Sequence, residues 1–110
     1  MKRLNEYRVM WILVFFDLPT ATKKDRRTSS LFRKRLLEDG FNMFQFSIYI
    51  RHCPSMENAE AHNRRVKKIV PSMGKIGILR ITDKQFELME VFYGKKQQIL
   101  DLPNQQLELF

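Results

Sequence analysis

Apolar positions divide this chain into segments of different period. Residues 9–16 (VMWILVFF) form a continuous run of branched and aromatic side chains. Its length and polar flanks predict a strand buried on both faces rather than a helix. Asp17-Leu18-Pro19 ends it, because proline cannot donate to a ladder. Helical spacing follows. Thr22 is the expected N-cap, Asp25 closes a capping box, and the helix runs to about Asp39 with Gly40 at C′. Its apolar stripe is Thr28, Phe32 and Leu36, widened by Leu31 and Leu37, and should pack on a sheet.

Residues 41–51 alternate at period two. Phe41, Met43, Gln45, Ser47, Tyr49 and Arg51 share one face; Phe44, Phe46, Ile48 and Ile50 take most of the other. One long strand, or two short ones meeting around residues 45–47, both fit, since no Asn-Gly signal marks a turn. Pro54 and Ser55 open a second helix reaching Val70, closed by Pro71 and Gly74. Residues 77–82 read as a strand, and Asp83 as the cap of a short helix from Lys84 to about Glu90. Residues 94–96 read as a loop, while Ile99, Leu100 and residues 107–110 offer short late strands.

This order predicts an α+β fold, a ferredoxin-like βαββαβ sandwich with extra C-terminal strands. Helices on one face leave the other bare, and a second copy of the chain, a homodimer, is the simplest cover. The domain should span residues 1–94, with 95–110 an extension able to pair with the dimer or a partner.

Charge narrows the partners. Twenty basic residues oppose 12 acidic ones, a net +8. A nucleic acid is the polyanion that such a domain meets in a cytoplasm. The 44% of hydrophobic residues suffices for a core. One cysteine, Cys53, excludes a disulfide or a zinc cluster within the chain. The longest apolar run is too short to cross a bilayer and lacks a cleavage site, so a cytoplasmic protein without membrane attachment is expected.

Asp17 is the first candidate for chemistry. A carboxylate at the end of a buried strand sits on a rigid element, where Mg²⁺ could be held with waters and substrate phosphates. One such group per chain is a thin site, whereas two across a dimer axis would be a usual one; an Asx turn into Pro19 is the plain alternative. The first helix is the second candidate. Lys23, Lys24, Arg26, Arg27, Arg33, Lys34 and Arg35 face only Asp25 in charge. Lys23, Arg27 and Lys34 share a face flanked by Arg26 and Arg33, and phosphates would relieve their mutual repulsion. Arg64, Arg65, Lys67 and Lys68 form a weaker cluster that Glu57 and Glu60 can partly neutralise. His52 and His62 read as structural or surface residues, although His52 has the chemistry of a general acid or base. Phe44, Phe46 and Tyr49 invite base stacking, but alternating aromatics read first as core, and the basic-Gly-aromatic signature of RNA-recognition motifs is absent. No Ser–His–Asp order, phosphate-binding glycine loop or cysteine pair is present.

Four segments, VFFDLPT (14–20), FRKRLLEDGF (32–41), QFSIY (45–49) and ITDKQF (81–86), together resemble the Cas-two family of CRISPR adaptation proteins, in wording closest to the branch found beside Cas-nine effectors. The resemblance spans about residues 9–94. It implies a ferredoxin-like homodimer whose strand-end aspartate, here Asp17, binds Mg²⁺ at the dimer interface. It implies spacer acquisition in a complex with the Cas integrase, the dimer supporting duplex DNA on the basic residues of its first helix. It also implies metal-dependent endonuclease activity on RNA, including single-stranded RNA, or DNA. A toxin-like metal-dependent ribonuclease and a generic RNA-binding module of the same fold are the competing readings.

Overall fold

Strand β1 (Met10–Asp17) runs through the middle of a four-stranded sheet. The computed structural model of the chain describes residues 9–98. After β1 come α1 (Lys23–Glu38), β2 (Asn42–Gln45), β3 (Ile48–Cys53), α2 (Met56–Ile69) and β4 (Lys75–Thr82). The strand order is β2-β3-β1-β4, every neighbouring pair antiparallel, which is the expected βαββαβ layout. Register is explicit along β1: Val14 lies between Tyr49 and Ile78, Phe15 between Ile48 and Gly77, and Asp17 opposite Lys75.

Both helices lie on one face of the sheet. Ile12, Val14 and Phe16 of β1 meet Phe32 and Leu36 of α1 and Ala59 and Val66 of α2, with Phe41, Tyr49 and Cys53 completing the core. The start of α1 is fixed as its sequence predicts: Thr22 Oγ accepts from the Asp25 amide at 3.0 Å, and the Asp25 carboxylate accepts from the Thr22 amide at 3.2 Å. Its packed stripe differs from expectation. Ser29 joins Phe32 and Leu36, while Leu31 and Leu37 are exposed. Each is one residue, hence about 100° of helix, from a core position, and α1 needs only a narrow contact.

Residues 41–51 form two strands, not one. Phe46 and Ser47 make the turn, and a bulge lies between Met43 and Gln45. Neither turn residue has a positive φ, so the hairpin needs no Asn-Gly pair. Bulge and turn break the simple alternation, burying Phe41 and Tyr49 and leaving Phe46 at the tip. Strand β4 begins at Lys75 rather than Gly77. The next helix, α3 (Asp83–Glu87), is capped by Thr82 with Gln85, not by Asp83; the Asp83 carboxylate instead accepts the Trp11 indole N–H at 2.7 Å. The helix is also shorter than expected. Strands β5 (Val91–Tyr93) and β6 (Lys96–Gln98) then form a separate hairpin turning at Gly94, so Lys96 belongs to a strand rather than a loop. The strands expected at Ile99, Leu100 and residues 107–110 lie outside the described residues.

The second face of β1 departs from the expectation of full burial. Trp11 is buried, stacked on Phe86 of α3 at 3.9 Å between centroids. Towards Asp17 the cover stops, leaving Phe15 45% and Leu79 48% exposed. Gly77 makes room for the Phe15 ring: a Cβ there would stand 2.3 Å from its Cε2. Gly77→Val should therefore destabilise the fold by about 1–3 kcal/mol, read as a lower urea midpoint; an unchanged midpoint would show that the ring moves freely.

Candidate functional site

Asp17 is carried to the rim of the sheet as the last residue of β1. The loop leading into β4 holds it from behind. Gly74 adopts φ +86°, and a Cβ on it would lie 2.7 Å from the Asp17 carbonyl oxygen. Only glycine meets both demands without strain. The Asp17 side chain is exposed, and its carboxylate has no hydrogen bond or ion pair among the described residues. It opens onto a cleft of about 370 Å³ lined by Phe15, Ser47, Ile48, Lys75 and Gly77. Among the described residues no three His, Cys, Asp or Glu side chains gather to hold a metal. A lone exposed carboxylate has the donor chemistry that a hard cation such as Mg²⁺ takes while keeping most of its waters.

The basic residues expected on α1 separate into two groups. Lys23, Lys24, Arg27 and Lys34 are exposed, and none has a hydrogen bond or ion pair among the described residues. Arg26 and Arg33 serve the fold. Arg26 donates to the carbonyls of Thr20 and Ala21 at 3.0 and 3.2 Å, closing the loop before the helix. Arg33 donates to Ser29 Oγ and to the Phe46 carbonyl, the latter at 3.1 Å, with its guanidinium over the Phe46 ring at 3.7 Å. The helix layer lies on the face of the sheet opposite Phe15. The structure therefore does not bring the exposed cations and the Asp17 cleft into one pocket.

The second cluster pairs differently from expectation. Arg65 binds Asp39 at 3.0 Å, and among the described residues Glu57 and Glu60 form no ion pair with it. His62, buried in α2, places Nδ1 2.7 Å from the other Asp39 oxygen, so Asp39 ties the end of α1 to α2. His52 sits against Trp11 at the end of β1 far from Asp17, and burial lowers its pKa. Burial raises the Cys53 thiol and the Tyr49 phenol, keeping both protonated near neutrality and Cys53 a poor nucleophile. Ser47, Lys75 and Gly74 were not singled out beside Asp17 from the sequence. Only strand register could have found them, since they come from separate segments of the chain.

A family model described as "CRISPR associated protein Cas2" matches residues 10–89. A curated relative from Flavobacterium psychrophilum, named CRISPR-associated endoribonuclease Cas2, is 65% identical over 108 residues, covering 98% of this chain and 94% of that protein. Relatives of the same name from Parvibaculum lavamentivorans and Paracidovorax avenae are 50% and 41% identical, covering 92% and 97% of this chain and 100% and 99% of their own lengths.

Gly74→Ala should lower stability by about 1–3 kcal/mol, from the strained φ together with the contact on Asp17. Amide chemical shifts of Asp17 and Leu18 should move with it; shifts confined to the mutated loop would show that Gly74 does not set the position of Asp17.

Proposed function

The chain belongs to the CRISPR associated protein Cas2 family, and on that premise we propose that it serves CRISPR adaptation as a homodimer that holds duplex DNA for the Cas integrase and carries, at Asp17, a Mg²⁺-dependent endonuclease site for RNA or DNA. The observation that carries this reading is the uncovered sheet face that ends on a carboxylate without a partner among the described residues. Exposed Phe15 and Leu79, with half-buried Leu13 and Ile48, make an apolar patch of the kind that marks an interface. Self-complementary packing about a two-fold axis covers it with the same patch of a second copy. That packing sets two Asp17 side chains at one seam.

Mg²⁺ would be held by Asp17 of both copies, and when bound it polarises a phosphate or activates a water. The rest falls to the chain's own residues. Lys75, opposite Asp17 across β1 and β4, supplies positive charge to an adjacent phosphate. Phe15 and Ile48 form an apolar wall that limits water in the cleft. On the other side, Lys23, Arg27 and Lys34 recur along about 16 Å of α1, a stripe suited to one track of phosphates. The hairpin of β5 and β6, with exposed Phe92 and Tyr93, offers strands to the edge of the other copy or of the integrase. This reading places the protein in the cytoplasm; no helix among the described residues is long and apolar enough to cross a membrane.

Purified protein and Asp17→Asn, incubated with labelled single-stranded RNA and duplex DNA, test the reading. Cleavage should require Mg²⁺ and vanish in the variant, while duplex affinity stays within about twofold, given the separate faces. Cleavage surviving in Asp17→Asn would overturn the site. A second measurement addresses the basic face. Changing Lys23, Arg27 and Lys34 together to Ala should reduce the slope of log affinity against log salt by about 0.9 for every phosphate left without its cation, and Arg26→Ala should not. An unaltered slope in the triple variant would show that duplex DNA binds elsewhere.

A further inference from the structure

Lys24, Thr28 and Arg35 repeat the spacing of Lys23, Arg27 and Lys34 one position on, which turns them about 100° round the same helix. The turn aims this second row at α2. Lys24 and Thr28 line a cleft of about 240 Å³ with Asp25 and Ser72, while Arg35 lines one of about 360 Å³ with Glu38, Asp39, Arg65 and Lys68. Both clefts lie in one groove between the helices. The strands β1 and β3 that precede α1 and α2 are antiparallel, and both helices lie on the same face of the sheet. The start of α1 therefore meets the residues after α2, and its end meets Arg65 and Lys68.

The free charge in this groove is mostly positive. Lys24, Arg35 and Lys68 are exposed and have no hydrogen bond or ion pair among the described residues. Two of the three carboxylates are occupied: Asp25 accepts the Thr22 amide, and the oxygens of Asp39 take Arg65 and His62. Only Glu38 has no such partner among the described residues. Arg65 gives one Nη1 to Asp39 at 3.0 Å while its side chain stays 64% exposed. A guanidinium has further donors to offer, and holding it in place beforehand lowers the cost of ordering it on a ligand.

We infer that the groove between α1 and α2 is a second phosphate track, in which Lys24, Arg35, Lys68 and the braced Arg65 hold one backbone of a duplex while Lys23, Arg27 and Lys34 hold the other. This rests on the proposed reading that α1 carries duplex DNA, and adds that a single copy of the chain grips both strands. Spacing favours a duplex as the occupant. Two rows 100° apart on a helix about 10–12 Å across its side chains are separated by roughly 8–9 Å. The grooves of B-DNA set its two backbones about 6–12 Å apart. A single strand needs only one row.

The test measures binding of labelled duplex and single-stranded DNA across a salt series in chelator. Changing Lys24, Arg35 and Lys68 together to Ala should lower the duplex slope of log affinity against log salt by about 0.9 for each phosphate released. The single-strand slope should hold, because the outer row still serves one strand. Arg35→Lys combined with Lys68→Arg keeps the charge and should keep the duplex slope. An equal loss on single strands would overturn the inference, since it marks one shared anion path; so would a lost slope in the charge-keeping variant, which marks a structural role. A duplex slope unaltered by the groove substitutions but lowered by changing Lys23, Arg27 and Lys34 sinks this inference alone. A slope unaltered by either set sinks the placing of DNA on the helix layer as well.

Discussion

Strand β1 has to satisfy two unlike faces at once. Alternation sends Ile12, Val14 and Phe16 towards the helices and Trp11, Leu13 and Phe15 to the other side. The helix face closes within a single chain. The opposite face closes only at its Trp11 end, where Phe86 stacks and Asp83 takes the indole N–H. A chain of this size buries a limited fraction of its surface, and α3 is too short to cover the rest. The uncovered half lies where Asp17 stands. In the proposed dimer the same shortage of cover puts the carboxylate at the seam, and that reading needs no separate device to put it there.

Charge is divided on similar lines. The sequence puts Lys23, Arg27 and Lys34 on one helix face with Arg26 and Arg33 flanking it, and the two flanking arginines are engaged with carbonyls, a hydroxyl and an aromatic ring. Arginine suits this work, because its planar fork stacks and donates in several directions. Lys23, Lys24, Arg27 and Lys34 keep their charge available to a polyanion. The proposed salt-dependent binding and the internal contacts of the fold accordingly draw on different members of one helix.

Much of this was legible before the fold was known. The apolar run of β1, the Thr22–Asp25 box, the core pair Phe32 and Leu36, and the strand–helix order depend on neighbours close in sequence, and periodicity reports them directly. What failed depended on distant partners. Exposure of Leu31 and Leu37 is set by how narrowly α1 touches the sheet. The hairpin at Phe46–Ser47 lacks the glycine that usually marks a turn. Asp83 looked like a cap because its true partner, Trp11, lies at the other end of the chain. The contacts of Arg33 with Phe46 were not readable, because Phe46 is brought to it only by the β2–β3 turn. For the candidate site, Asp17 itself was readable from its place after β1, but its surroundings, Ser47, Lys75 and Gly74, required the register.

The account's central claim is that Asp17 works as one half of a site shared by two chains. Refolding wild type and Asp17→Asn together in varying ratios, and measuring Mg²⁺-dependent cleavage at constant total protein, tests it directly. If both carboxylates are needed, activity falls as the square of the wild-type fraction, because mixed dimers are inactive. Activity falling in simple proportion to that fraction would show that each Asp17 acts within its own chain, and would contradict the account.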